Sequence, residues 1–367
     1  MIITFAVTKV ILLMVSKQET PFYQKLSLVL ISISILCIAL IYGKDLILPI
    51  LFSILLANIL LPLTNYFGKK GLNKSIAISI PLMLSIIVGI GLIYFLSSQI
   101  IHFMNDVPAL KERINEVTHS FQKWFKASTN MTITKQNQYF NNTVDDLKDS
   151  APELVSITFV SLTGFLTYVV LLPIYTYLLL YYRKNIKTFL ITVFKKDSET
   201  RVASILVEST TIAQKYLIGL LIETTLVFTL NTIGFLVIGI KYAIFLALLA
   251  ALLNLIPYVG ILIANVLCMF ITLVSSDELT KVLWVGIILA IVQLLDNNVG
   301  MPLIVGNKVR INALVTLIGV LVGGALCGIP GMFLAIPGLA VMKVIFDKVP
   351  ELQPWGTLLG DGTLEAK

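Results

Sequence analysis

Two apolar stretches, 242–274 and 311–346, constrain this chain more than any other feature, because each is broken near its middle by proline and glycine. The first breaks at Pro257-Tyr258-Val259-Gly260. The second breaks at Gly323-Gly324, at Gly328-Ile329-Pro330-Gly331 and at Pro337-Gly338. One membrane span takes about 20 apolar residues, and two spans with a turn take about 40 or more. Each stretch is too long for one span and too short for two. The spacing predicts two short arms meeting inside the membrane, a re-entrant hairpin; the alternative is a kinked or tilted pair of short helices. Such backbone is tolerated only where it is buried in protein or lines a wet cavity.

Around these stretches lie six ordinary apolar runs, at 26–43, 46–63, 75–97, 154–182, 217–240 and 282–304. Only 13% of the residues are charged, against about 25% in a soluble domain whose surface must face water. The fold expected is therefore an all-α integral membrane protein with about six spanning helices, the two hairpins and a lipid bilayer as solvent. The formal net charge of +7 does not indicate nucleic acid. Its cations cluster at the ends of apolar runs, with no aromatic-basic interleaving of the single-strand-binding kind. Cys37, Cys268 and Cys327 lie inside apolar runs and behave there as small hydrophobes.

Charge sets the orientation. Lys69, Lys70 and Lys74 stand without an acid and read as cytoplasmic. The segment 98–153 has six Lys/Arg against seven acids and reads as outside, whereas 183–216 has seven against three and reads as inside. The organisation expected is a cytoplasmic or interfacial segment 1–25, three spans over 26–97, an extracytoplasmic helical segment 98–153 and a span 154–182. A cytoplasmic amphipathic segment 183–216, a transport core 217–346 with both hairpins, and a cytoplasmic tail 347–367 follow. Within the core, span plus hairpin 217–274 enters from inside and span plus hairpin 282–346 from outside. Two such units of opposite orientation are the inverted-repeat layout of secondary transporters. The face Val202, Ile205, Leu206, Ile212 and Tyr216 reads as an amphipathic helix lying on the inner leaflet. Heptad-like stripes in 98–153, such as Val107, Leu110, Ile114, Val117, Phe121 and Trp124, predict helices that pack together, pack on a neighbouring subunit or form an interfacial lid.

The chain carries no H-E-x-x-H, no G-x-S-x-G and no Walker A loop, which points away from an enzyme, a metal site or a cofactor. Its chemistry lies in intramembrane polar residues. Asp296 sits in Gln293-Leu294-Leu295-Asp296-Asn297-Asn298, and Glu223 in Leu221-Ile222-Glu223-Thr224-Thr225. A charge at membrane depth costs about 2.5–3.5 kcal/mol on insertion scales, so each acid is a candidate for ion or solute handling. Under the charge-derived topology both fall in the cytoplasmic half and can share one cavity. Gln293, Asn231, Asn254, Asn265, Asn297 and Asn298 add amides that coordinate a polar solute or cation, or act as helix–helix glue.

Three motifs in order carry a family resemblance: Asn254-Leu255-Ile256-Pro257-Tyr258-Val259-Gly260, then Leu295-Asp296-Asn297-Asn298 with Pro302 and Gly306, then Gly323 to Gly331 followed by Ala335-Ile336-Pro337. Asn58-Ile59-Leu60-Leu61-Pro62 is similar to the second span of the same family. The chain resembles the autoinducer-2 exporter (AI-2E) family of bacterial membrane transporters over roughly residues 25–350. The resemblance implies a multi-pass inner-membrane protein with cytoplasmic termini, a homo-oligomer (a pentamer) and secondary transport. Autoinducer-2 export and sodium–proton exchange are both assigned within the family, so the partner implied is a small polar solute, H+ or Na+. It further implies a functional carboxylate at Asp296 and functional breaks at Pro257 and Gly260 and at Gly328, Pro330 and Gly331. The competing classes are a passive channel or pore and a membrane scaffold without transport.

Overall fold

The computed structural model describes residues 22–128, 168–193, 199–256, 259–276, 278–300 and 311–360. The expectations for 1–21, for the second stripe of the outside segment, for the start of the 154–182 span, and for Pro257, Pro302, Gly306 and 361–367 lie outside them. The chain divides into two compact units, Met1–Ile47 and Leu48–Lys367. The described elements are α1 (Phe22–Lys69), α2 (Lys74–Ser128), α3 (168–193), α4 (Glu199–Val237), α5 (Ala243–Leu253), α6 (Val259–Ser275) and α7 (Leu279–Leu295). A π-helical turn (Asp296–Gly300), α8 (Ala313–Lys348), a 3-10 turn (Pro350–Leu352) and α9 (Gln353–Leu359) complete them. Every described element is helical, as a membrane-spanning chain requires if its backbone groups are to be satisfied within each segment.

Three expectations about boundaries are corrected. The runs 26–43 and 46–63 do not form two spans; both lie on the 48-residue helix α1. Gly43-Lys44-Asp45 contains no turn signal strong enough to reverse the chain, since one interior glycine costs only about 1 kcal/mol. The span at 75–97 continues without interruption into the polar residues of 98–128, making α2 55 residues long. The amphipathic segment before residue 217 likewise continues into the fifth span as the 39-residue helix α4. It does not lie flat as a separate surface helix. Its Glu208 pairs with Lys348 at 2.8 Å, and its Ser204 Oγ accepts a hydrogen bond from the same ammonium at 3.0 Å. The end of α8 is therefore tied to this stretch of α4.

Five helices among the described residues are long and apolar enough to cross a membrane: Leu26–Lys69, Lys74–Phe103, Glu199–Val237, Leu279–Gly300 and Ala313–Lys348. The last is not one straight rod. Gly328 interrupts α8 at φ 67°, a left-handed conformation that glycine adopts without steric cost, and folds it into arms 313–327 and 329–348. The arms cross closely: a Cβ on Gly331 would fall on the carbonyl oxygen of Gly323, and one on Gly323 on that of Gly331. Further down the arms, a Cβ on Gly319 would strike Leu339. The Asn312 N–H donates to Leu359 O at 2.8 Å, so the chain returns beside the point where α8 began.

The helices α5 and α6 make the other hairpin. Cys268 Sγ donates to Leu246 O at 3.6 Å, while a Cβ on Gly260 would fall on Leu253 O. Pairs 246/268 and 253/260 thus run in opposite directions along the two helices. Each hairpin follows a long helix, α4 in one case and α7 in the other. Where α4, α5, α6 and α7 meet lies a close-packed cluster in which Phe235, Leu246, Ala247, Cys268 and Val285 are fully buried. Small residues let the helices approach, as packing in lipid demands when hydrophobic drive is absent. Gly234 faces Ile288 so closely that a Cβ would meet its Cγ2 at 2.7 Å.

Cations gather at shared helix ends. Arg183 of α3 donates to Asn65 Oδ1 of α1 at 2.8 Å, and Lys74 at the start of α2 sits 4.1 Å above the Tyr181 ring. The two basic clusters, 69–74 and 181–184, therefore lie at one end of the helix bundle.

Candidate functional site

The two acids singled out from the sequence meet. Glu223 lies on the buried face of α4, and Asp296 opens the π-helical turn that ends α7. They are 9% and 4% exposed, which removes both from bulk lipid and bulk water. Their carboxyl groups lie close enough to interact directly. Like charges this close repel one another in a buried site.

Asn254 completes the cluster. It caps the C-terminus of α5, at the tip of the first hairpin, and its Nδ2 donates to Asp296 Oδ2 at 3.4 Å. Three elements distant in sequence thus deliver an acid, an acid and an amide to one point. The π turn matters here. Adding a residue to the helical turn re-aims the side chains that follow, and such turns occur disproportionately at functional positions.

Gly300 escaped the sequence reading. A Cβ there would meet Asp296 Oδ1 at 2.7 Å and Leu226 Cδ2 at 3.6 Å, so only a residue without a side chain leaves the carboxylate in place. The available signal was a glycine four residues after an intramembrane acid, one helical turn away.

The remaining candidates separate. Asn231 is 2% exposed on the face of α4 that carries Glu223, and its Oδ1 has no hydrogen-bond partner among the described residues. Gln293, Asn297 and Asn298 do not face Asp296. Gln293 Nε2 donates to Asn297 Oδ1 at 3.0 Å, Asn298 Nδ2 donates to Leu294 O at 2.8 Å, and both asparagines are exposed on the opposite side of the turn. Asn265 is half-buried on α6, and no contact joins it to the carboxyl pair. Of the hairpin residues, Gly260 closes the α5–α6 turn beside Asn254, while Gly328, Pro330 and Gly331 shape the second hairpin. Among the described residues, no group of three or more His, Cys, Asp or Glu is placed to hold a metal ion.

The family model described as AI-2E family transporter matches residues 28–351. The chain belongs to this family. Relatives include YueF of Bacillus subtilis, named as a transport protein, 26% identical over 82% of this chain and 84% of that protein. YrrI of the same organism, also named as a transport protein, is 26% identical over 82% of this chain and 86% of its own length. PerM of Escherichia coli K12, named as a permease, is 24% identical over 85% of this chain and 90% of its length. As an AI-2E family member with several apolar helices, the protein is a multi-pass membrane protein of a transport family.

Proposed function

We propose that this AI-2E family protein is a secondary transporter of the bacterial inner membrane. It exports a small polar solute such as autoinducer-2, or exchanges a cation for protons, and the Glu223–Asp296 pair is the ion-handling site. One observation carries this reading: two acids and an amide from α4, α7 and the α5 tip converge inside an apolar helix bundle. In this reading the buried carboxyl pair takes up a proton or a cation in turn, which is the elementary act of coupling.

The hairpins fit the same reading. At 1.5 Å per residue the 11-residue helix α5 is about 16 Å long, short of a hydrocarbon core of about 30 Å. Its tip, which holds Asn254, therefore ends within the membrane and returns as α6, a re-entrant hairpin. The charge-derived topology supports this arrangement, with the cationic clusters at 69–74 and 181–184 inside. A homo-oligomeric assembly belongs to the proposal as well.

Gradient-driven flux in proteoliposomes tests it, with sodium, protons and small polar solutes supplied in turn. Wild-type protein should give saturable flux that collapses with the driving gradient, and Asp296→Asn should lose it while remaining assembled. Unitary conductance steps in a planar bilayer would instead favour a passive pore.

A further inference from the structure

The hydrogen-bond inventory of α4 holds more than the carboxyl pair. Two further buried polar atoms on this helix, Ser209 Oγ and Asn231 Oδ1, have no hydrogen-bond partner among the described residues. Asp296 Oδ1 has no hydrogen-bond partner among the described residues either. Buried polar atoms are nearly always satisfied, and those without a protein partner are the usual seats of water or ligand.

These atoms are not scattered. Ser209, Tyr216 and Glu223 follow one another at seven-residue spacing, with Val227 and Asn231 above them. At 100° per residue all five fall within an arc of about 80° on α4. The stripe from Ser209 to Asn231 rises about 33 Å, against about 30 Å for the hydrocarbon core. Tyr216 is 8% exposed and, with Leu217, belongs to a cluster against which Leu55, Ile59 and Ile336 pack. At the lower end Glu208 and Ser204 hold Lys348 beside Ser209. One helical turn above Asn231, Phe235 packs with Leu246 and Val285, all at 0% exposure, and closes the stripe.

We infer that this face of α4 lines a water-filled path for a small cation, running from Ser209 past Tyr216 and the Glu223–Asp296 pair to Asn231 and ending at the Phe235 seal. The lining favours positive charge, because Asn231 Oδ1, Asp296 Oδ1 and the carboxylate are acceptors and the one lysine of that stretch of α4, Lys215, is exposed on another face. The inference rests on the transporter reading for its purpose but not for its test.

Thiol reactivity checks it, since methanethiosulfonates react with thiolates, which form only in contact with water. Ser209→Cys, Val227→Cys and Asn231→Cys would be compared with Ile222→Cys and Ile233→Cys, whose side chains point outward at 53% and 56% exposure. Membrane vesicles of both orientations receive a cationic trimethylammonium reagent or an anionic sulfonate reagent. Labelling is read by mass spectrometry of the modified peptide, so the native cysteines stay. The three stripe positions should label at least about tenfold faster than the outward pair, and faster with the cationic reagent. Ser209→Cys keeps the experiment decisive if Asn231→Cys does not fold. Rates equal to those of the outward pair overturn the water path, and an anionic preference overturns the cation assignment. Either result leaves the flux of Asp296→Asn to judge the transporter reading separately.

Discussion

Asn254 and Asp296 are 42 residues apart in sequence, yet Asn254 Nδ2 stands 3.4 Å from Asp296 Oδ2, joining the tip of a helical hairpin to the end of α7. At this length the bond is weak, and the carboxylate has few other donors to compensate. The site is therefore held together by elements that can separate.

Removing that donor gives the first prediction. Asn254→Ala should lower coupled flux strongly and destabilise the fold by about 1–3 kcal/mol, the range for stranding a buried polar group. Asn254→Asp, which adds a third acid, should be worse in both respects. Flux per folded protein, together with thermal melting in detergent, measures the two effects apart.

Glu223→Gln and Asp296→Asn should each reduce gradient-driven flux at least about tenfold, and the double variant should be no worse than either single one. Groups that act as one unit lose their function once, not twice. Additive losses in initial rates would mean that the acids work independently.

Gly300→Ala places a methyl group against Asp296 Oδ1 and should displace the carboxylate, whereas Gly89→Ala meets open space. The first should impair flux at unchanged expression, and the second should match wild type. Equal activity of the two would show that the carboxylate position is not critical.

For the hairpins, Gly260→Val and Gly331→Val drive side chains into Leu253 O and Gly323 O, while a Cβ on Gly89 or Gly91 would meet nothing within 4 Å. Gly328→Ala adds about 1–3 kcal/mol of backbone strain, because φ 67° with ψ −152° is a combination essentially reserved for glycine. All three hairpin variants should show lower flux per folded protein than Gly89→Val and Gly91→Val. Parallel losses of stability and flux across every variant would reduce the hairpin glycines to packing residues.

Topology is tested by cysteines at Lys184 and Lys281. An impermeant reagent added to intact cells should label Lys281→Cys and spare Lys184→Cys. The reverse pattern would invert the orientation proposed for the bundle.

Much of this architecture was visible in the residues because lipid makes certain choices expensive. Asp296 and Glu223 stood out since a charge at depth has few innocent explanations, and the hairpins stood out since proline and glycine interrupt apolar runs of awkward length. What stayed hidden follows from geometry. Asn297 and Asn298 neighbour Asp296 in sequence, but each step around a helix turns by about 100°, so adjacency says nothing of a shared face. The continuity of α2 and α4 was hidden for a related reason. Backbone hydrogen bonds run on through a change from apolar to polar side chains, so a composition boundary need not be a helix boundary. Gly300 was invisible as a partner because its role is to be absent where Asp296 sits.

The unbroken course of α4 makes it a lever. Its foot is gripped where Lys348 holds Glu208, and Glu223 lies 15 residues further on, about 22 Å up the same stiff rod. A tilt of about five degrees at the foot swings the Glu223 backbone by about 2 Å, more than a carboxyl pair or a 3.4 Å amide contact tolerates. Movement of the α8 hairpin thus reaches the buried Glu223–Asp296 pair without any intermediate joint.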